Sequence, residues 1–357
     1  MEKYNCYHSK DEVLKENVNC EAYCNNLSAE EKAMVPFLSF PIIKACNFSC
    51  IYCGRDGEAT GSSTDCVSLD LLKDLVAIAQ NQQIQKFRIT GGEPFLHNNI
   101  ADILEFFNSV GCYTLINTNG SMIMDYSYTI DRLDPRNMKF AISLDSLYED
   151  RFNCIARPHQ SESMFKKVMA GVEFLSSRGF LLRINMVVGT HNYDEVYGMI
   201  KFCQDHHCDL KLLDIVSVPV PFGERCDFFR DLTPLEKEFE KKCDRIISHA
   251  YTKSFGVPCI KYQFGATSVT VKNGSKGTHY DRDGICCDCS FFPCHEGLYD
   301  IFALSDGRIC PCRWTEEQAF EKPEDQLKFL IEAFQRAKFF VGINKIGFDM
   351  KKRYDLL

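Results

Sequence analysis

Cys46, Cys50 and Cys53 stand in the run Cys46-Asn47-Phe48-Ser49-Cys50-Ile51-Tyr52-Cys53, a C-x3-C-x2-C spacing. Three thiolates this close along a chain bind soft metals such as iron or zinc. A structural zinc site takes four ligands, usually as two C-x2-C pairs. Three ligands on one loop suit instead a four-iron cluster whose last iron stays open to a reactant. Three buried or zinc-bound cysteines are the plainer alternative. A second group comprises Cys286, Cys287, Cys289, Cys294, Cys310 and Cys312. The segment Ser305-Asp306-Gly307-Arg308 reads as a hairpin turn, so Cys294 and Cys312 flank a two-stranded ribbon that brings them together. Cys286-x2-Cys289 is also a zinc-like spacing.

Cysteine makes up 20 of the 357 residues, several times what packing needs. Disulfide scaffolds are usually short and secreted. This chain is long, its start has no apolar run that reads as a leader, and no stretch reaches the ~18 apolar residues of a membrane span. A cytoplasmic protein with reduced, partly metal-bound thiols is expected. With 41 basic and 49 acidic side chains, the net charge of −8 argues against a broad basic face for nucleic acid. A hydrophobic share of 45% and a charged share of 25% are ordinary for globular chains and exclude disorder. The length allows one large domain or two.

The elements that position these cysteines follow a rhythm from Phe37 to about Leu213. Strands are expected at Leu38–Ile43, Lys86–Thr90, Tyr113–Thr118, Lys139–Ser143, Phe180–Val188 and Leu210–Val216. Helical patterns lie between them, at Leu69–Asn81, Ile100–Val110, Ser163–Arg178 and Asp194–His206. Strand and helix in alternation predict parallel β/α layers, and six units predict a partial TIM-like barrel rather than a closed one of eight. The first cysteine group follows the first strand, at the end where such barrels carry their chemistry. Ser28 with Glu31 marks a helix start before the barrel. Beyond Arg225 a charged helix is expected over about Pro234–Tyr251, then strands at Thr267–Val271 and Tyr299–Leu304 and a helix at Pro323–Ala337. The expected organisation is a helical extension over 1–36, the partial barrel over 37–225 and a small α+β domain over 226–357.

The cysteine motif, with an aromatic (Tyr52) before its last member, resembles the signature of radical S-adenosylmethionine (SAM) enzymes. Thr90-Gly91-Gly92-Glu93-Pro94 is similar to that family's GGEP segment, and Leu115-Ile116-Asn117-Thr118-Asn119-Gly120 and Ser143-Leu144-Asp145-Ser146 match its next two strand ends. The resemblance implies that Cys46, Cys50 and Cys53 hold a 4Fe–4S cluster whose open iron chelates SAM. It implies SAM contacts from Tyr52, Gly91, Gly92, Glu93, Asn117, Thr118 and Ser143. One electron then splits SAM to methionine and a 5′-deoxyadenosyl radical that takes a hydrogen atom from the substrate. Residue chemistry agrees: adjacent glycines let backbone approach a ligand, and a carboxylate accepts from an ammonium.

The second cysteine group resembles the auxiliary-cluster region of family members related to the GTP cyclase of molybdenum-cofactor synthesis. That implies a second 4Fe–4S cluster on Cys289, Cys294 and Cys312, with Cys286, Cys287 and Cys310 as rivals and structural zinc as the alternative. Departures stand beside the matches. Arginines with which the cyclase grips a triphosphate fall here on Ser39, Asp300 and Phe302, while a basic residue on the fifth strand is kept as Arg183. Each lost charge-assisted bond is worth ~1.5–3 kcal/mol, so a substrate less charged than GTP is expected. Arg183, Lys211 and Arg225 are the candidates for handling it. The expected function is hydrogen abstraction from a small molecule, such as a nucleoside or nucleotide, leading to cyclisation or rearrangement of lyase or oxidoreductase type. Electrons would come from a donor such as flavodoxin or ferredoxin. The rival readings are a maturase acting on a ribosomally made peptide and a non-catalytic iron–sulfur or zinc protein.

Overall fold

The computed structural model describes residues 36–53, 66–160, 163–215, 228–248, 256–257, 259–274, 277–287, 289, 297–312 and 322–340. The expected helix start at Ser28, Cys6, Cys20, Cys24, Arg225 and Cys294 lie outside the described residues.

A period of two shapes the sheet. Strands β1 (Leu38–Pro41), β2 (Lys86–Thr90), β3 (Tyr113–Thr118), β4 (Met138–Ser143), β5 (Leu181–Val187) and β6 (Asp209–Leu213) pair in sequence order, every pair parallel. On one face Phe40, Phe87, Ile116, Phe140, Ile184 and Leu212 are fully buried in the main core. Helices α1 (Leu69–Asn81), α2 (Ile100–Val110), α3 (Glu149–Ala156), α4 (Met164–Ser177) and α5 (Val196–Asp205) run between the strands. They bury helical stripes such as Leu72, Leu75, Val76 and Ala79 in the same core. Ser68 caps α1 by accepting from Leu71 N, and α2 stops at Gly111, whose φ of 72° suits the left-handed position. Helix α3, absent from the expected pattern, proves important for the site.

The opposite face is mostly polar. Ser39 lies beside Arg88, Arg88 beside Leu115, Ala141 beside Arg183, and Asn185 beside Lys211 in register. Strands sit about 4.8 Å apart, so four steps across a flat sheet would part the β2 and β6 side chains by about 19 Å. Yet Arg88 and Arg183 both act electrostatically on Lys211. The sheet therefore curls into a partial barrel with its polar face inside.

The C-terminal part extends that sheet at both edges. Strand β9 (Thr267–Lys272) joins β6 in parallel, and β8 (Cys259–Phe264) and β7 (Arg245–Ser248) continue it antiparallel. At the other edge β11 (Ile301–Ala303) lies parallel to β1, followed by its hairpin partner β12 (Ile309–Cys310). The hairpin turn falls at Asp306-Gly307 as expected, with Gly307 at φ 87°. A two-stranded pair, β10 (Thr278–Tyr280) with β13 (Lys338–Phe340), stands apart. The expected charged helix over Pro234–Tyr251 is corrected. Helix α6 spans Thr233–Lys242, and Arg245–Ser248 is strand because Ile246 finds Tyr262 of β8 across the ladder. Helix α7 covers Pro323–Arg336. Among the described residues no helix is long and apolar enough to cross a membrane, and no two of the described cysteines form a disulfide.

Candidate active site

The cysteine loop hangs from α3. Ser49 N donates to the carbonyls of Ala156 and Arg157 (3.1 Å each), Ile51 N to Ile155 O (2.9 Å), and His159 N to Asn47 O (3.0 Å). Ser49 Oγ and His159 Nε2 are 2.6 Å apart, and Phe48 packs edge-on against Phe152. The last carbonyls of a helix need donors from outside it, and here the loop supplies them. Cys46 Sγ accepts from Phe48 N at 3.4 Å. Burial pushes the Cys46 thiol up to about 11, and the nearby charges of Glu93 and Cys53 add to that. Burial also raises Cys50, reinforced by Asp145, Cys53 and Cys46. The three sulfurs thus feel one another.

The glycine pair docks onto the start of this loop. Gly92 N donates to Ile43 O (2.7 Å) and Glu93 N to Ala45 O (2.9 Å). Gly91 has φ 136°, and a Cβ there would lie 2.3 Å from Ile43 O. Gly91→Ala is therefore expected to lower stability by at least ~1–3 kcal/mol, from φ strain alone, and to impair iron uptake. A melting curve and an iron count check both. Glu93 is fully buried. It accepts from Thr118 Oγ1 (2.6 Å), Phe95 N (3.1 Å) and Asn119 N (2.7 Å), and burial lifts its carboxyl to about 7. Asn119 Nδ2 donates to Asn47 Oδ1 (2.8 Å), and Asn47 Nδ2 to Ser121 Oγ (3.0 Å), tying the cysteine loop to the end of β3. Asn117 Oδ1 is buried and has no hydrogen-bond partner among the described residues. Tyr52 donates to Asp145 Oδ2 (2.6 Å) and stacks on Phe228. Val187 N donates to Asp145 Oδ1 (2.7 Å), joining the ends of β4 and β5. Ser143 lies beside Asn185 on the polar face.

Below the strand ends the barrel interior is cationic. Burial, then the charges of Arg183 and its neighbours, bring the Lys211 amine down to about 7. Burial and Arg88 lower Arg183 to about 10. Arg183 Nε donates to Asn185 Oδ1 (2.9 Å), and neither Arg183 nor Lys211 makes an ion pair among the described residues. Arg88 instead pairs with Asp300, a buried carboxylate just before β11, whose Oδ2 also accepts from Ser39 Oγ at 2.6 Å. The Arg88 guanidinium lies over the Phe37 ring, 4.7 Å from its centroid, and Lys272 Nζ lies 5.6 Å from that of Tyr299.

In the second cysteine group, Cys286, Cys289 and Cys312 interact electrostatically. Burial pushes Cys286 up to about 12, with Cys312 and Cys289 adding to it. Cys310 is buried on β12, and Cys287 is exposed. Among the described residues no three His, Cys, Asp or Glu side chains converge as one metal ion requires. Thiolates around one zinc sit roughly 3.8 Å apart, whereas those of a four-iron cluster bind separate irons at separate corners.

Residues 40–203 match the Radical SAM superfamily. Over these residues the chain carries a radical SAM domain. It is 28% identical over 294 residues to a probable GTP 3′,8-cyclase of Methanothermobacter marburgensis, covering 80% of this chain and 87% of that protein. It is 30% identical over 209 residues to a probable GTP 3′,8-cyclase of Pyrococcus abyssi, covering 57% and 65%. Among solved structures, Streptococcus suis SuiB bound to S-adenosylmethionine has a TM-score of 0.55 at 14% identity, over 84% of this chain and 67% of that one. Native anSMEcpe with bound AdoMet and Kp18Cys peptide has a TM-score of 0.55 at 16% identity, over 84% and 81%. At such identities the structural likeness concerns the fold alone.

A radical SAM domain implies a 4Fe–4S cluster and SAM, and its match here speaks for an enzyme rather than a non-catalytic protein. The residues present fit these groups. Three soft donors share a loop in which burial opposes the bare thiolates of Cys46 and Cys50, so their ionised form calls for a bound cation such as iron. The orphaned Asn117 Oδ1 needs a donor that the described residues do not provide. The sequence reading missed Asp145 as the partner of Tyr52, Asn47 as a link to β3, and Arg88 with Asp300. Strand alternation places Arg88 on the face of Arg183 and Lys211, which was the available signal.

Proposed function

We propose that this enzyme holds its 4Fe–4S cluster on Cys46, Cys50 and Cys53, binds SAM with Tyr52, Gly91, Gly92, Glu93, Asn117, Thr118 and Ser143, and acts on an anionic small molecule of nucleotide type. Held there, the reduced cluster would supply the electron for reductive cleavage of SAM and so the means of abstracting a hydrogen atom from the substrate. The chain's own residues do the rest. Arg183 and Lys211 hold the anionic part of the substrate inside the barrel. The Glu93, Asn119 and Asn47 network keeps the cysteine loop over the strand ends. The curled sheet excludes water and thiols from the reacting carbon.

One observation carries the reading: the cysteine loop is fixed at the strand ends of a barrel whose interior cations Arg183 and Lys211 lack an ion-pair partner among the described residues. Buried charges without partners are costly, and a ligand anion would supply the missing partner. The GTP 3′,8-cyclase relatives favour a nucleotide over a peptide. We also assign an auxiliary 4Fe–4S cluster to Cys289, Cys294 and Cys312, with Cys286 a further ligand since its thiol lies within the influence of Cys289 and Cys312. A low-potential donor such as flavodoxin or ferredoxin supplies the electrons.

The test is anaerobic reconstitution followed by incubation with SAM and a strong reductant. About eight irons per chain, as two four-iron clusters, and release of 5′-deoxyadenosine are expected. About four irons would remove the auxiliary cluster, and absence of 5′-deoxyadenosine would overturn the reaction itself.

A further inference from the structure

The acid inside the barrel stands out against its cationic surroundings. Asp300 is 2% exposed, and its Oδ2 receives both the Ser39 hydroxyl and the Arg88 guanidinium. Arg88 is pinned a second time by the Phe37 ring beneath it. Burying an isolated carboxylate would be very costly, so the pair holds together and its two charges cancel inside the molecule. Arg88 shares the polar face with Arg183 and Lys211, and its charge reaches both. Without Asp300 it would be a third cation facing the same anion. With Asp300 in place, the charge offered to a ligand by these three side chains is that of Arg183 and Lys211 alone.

We infer that Asp300, seated on Ser39, is a specificity-determining residue that withdraws Arg88 from the anion site and so fits the barrel to a dianion of phosphomonoester charge rather than to a polyphosphate. The inference rests on the anionic-substrate reading above and adds the charge of the substrate to it. A triphosphate needs more cationic partners than two side chains provide, whereas a phosphomonoester dianion is matched by one guanidinium and one ammonium. Ser39 contributes by fixing the carboxylate where only Arg88 among the three cations pairs with it.

The experiment measures binding of inorganic phosphate and inorganic tripolyphosphate to the reconstituted protein by calorimetry at constant pH. The wild type is expected to bind the two ions within about threefold of each other, with similar salt dependence. Asp300→Asn keeps an oxygen to accept from Ser39 and releases Arg88. It should tighten tripolyphosphate about tenfold or more while changing phosphate less than threefold, one charge-assisted bond being worth roughly that factor. Adding Arg88→Gln to Asp300→Asn should erase the gain. Binding sensitive to Arg183→Gln but with unchanged selectivity in a folded Asp300→Asn protein overturns the role of Asp300 alone. A tenfold preference of the wild type for tripolyphosphate, with a steeper salt slope, overturns it without any variant. Absence of binding by either ion, or binding indifferent to Arg183→Gln, overturns the anion site and this inference together.

Discussion

Replacing Cys46 with alanine abolishes 5′-deoxyadenosine formation and lowers the iron content of the reconstituted protein from about eight to about four per chain. Cys46 is the first of three donors on a loop fixed at several points by main-chain bonds to the end of α3. Two remaining thiols leave a four-iron cluster short of a ligand, and no neighbouring cysteine can slide in, because the loop's backbone is already committed. The auxiliary cluster proposed above, on the β11–β12 side of the sheet, is expected to keep its iron. Cys154→Ser, an exposed thiol on α3, leaves both quantities unchanged. Iron analysis, visible absorption and a chromatographic assay of SAM products measure the effect. Full cleavage activity in Cys46→Ala would refute the ligand assignment.

Lys211→Met is expected to weaken anion binding about ten- to a hundredfold and to remove its pH dependence. The Lys211 amine titrates at about 7 in the folded, anion-free protein because burial and the neighbouring cations disfavour its charge. An anion binds best to the ammonium form. Affinity therefore falls as pH rises through about 7, by up to about tenfold per unit above it. Sulfate is the suitable probe, since it does not itself titrate there. Lys211→Arg should retain affinity and lose the pH dependence. The stability effect has the opposite sign. Between about 7 and 10.5 the unfolded chain holds a proton that folded Lys211 has released, so folding becomes more favourable as pH rises across that window. In Lys211→Met that contribution vanishes. A flat wild-type sulfate affinity from pH 6 to 8 would count against Lys211 as an anion ligand.

The parts written locally in the sequence were legible. Strands Lys86–Thr90 and Tyr113–Thr118 and helices Leu69–Asn81 and Ile100–Val110 have the expected bounds, because alternation, a helical stripe and a capping serine or terminal glycine each act within a few residues. The parallel order of β1 to β6 followed from the strand–helix rhythm. Distant pairings were not legible. Nothing near Leu38 announces Ile301 as its neighbour, and nothing near Arg88 announces Asp300, 212 positions away. Strand β7 was hidden in a charged stretch whose helix ends sooner, at Lys242. In the site, the motif marked the candidate ligands and the GGEP turn. The supports, α3 under the cysteine loop and Asn47 against Asn119, depend on how the chain returns and stayed invisible.

The attachment of β11 to β1 has a consequence for biosynthesis. Strand β1, the first of the described strands, waits for one of its partners, encoded more than 260 positions later. Until β9 and β11 emerge, β6 and β1 each present an unpaired row of amides and carbonyls, an invitation to clump with other nascent chains. A fragment stopped near residue 248 is thus expected to collect in the insoluble fraction of the cell to a greater extent than the whole chain, which covers both of these edges itself.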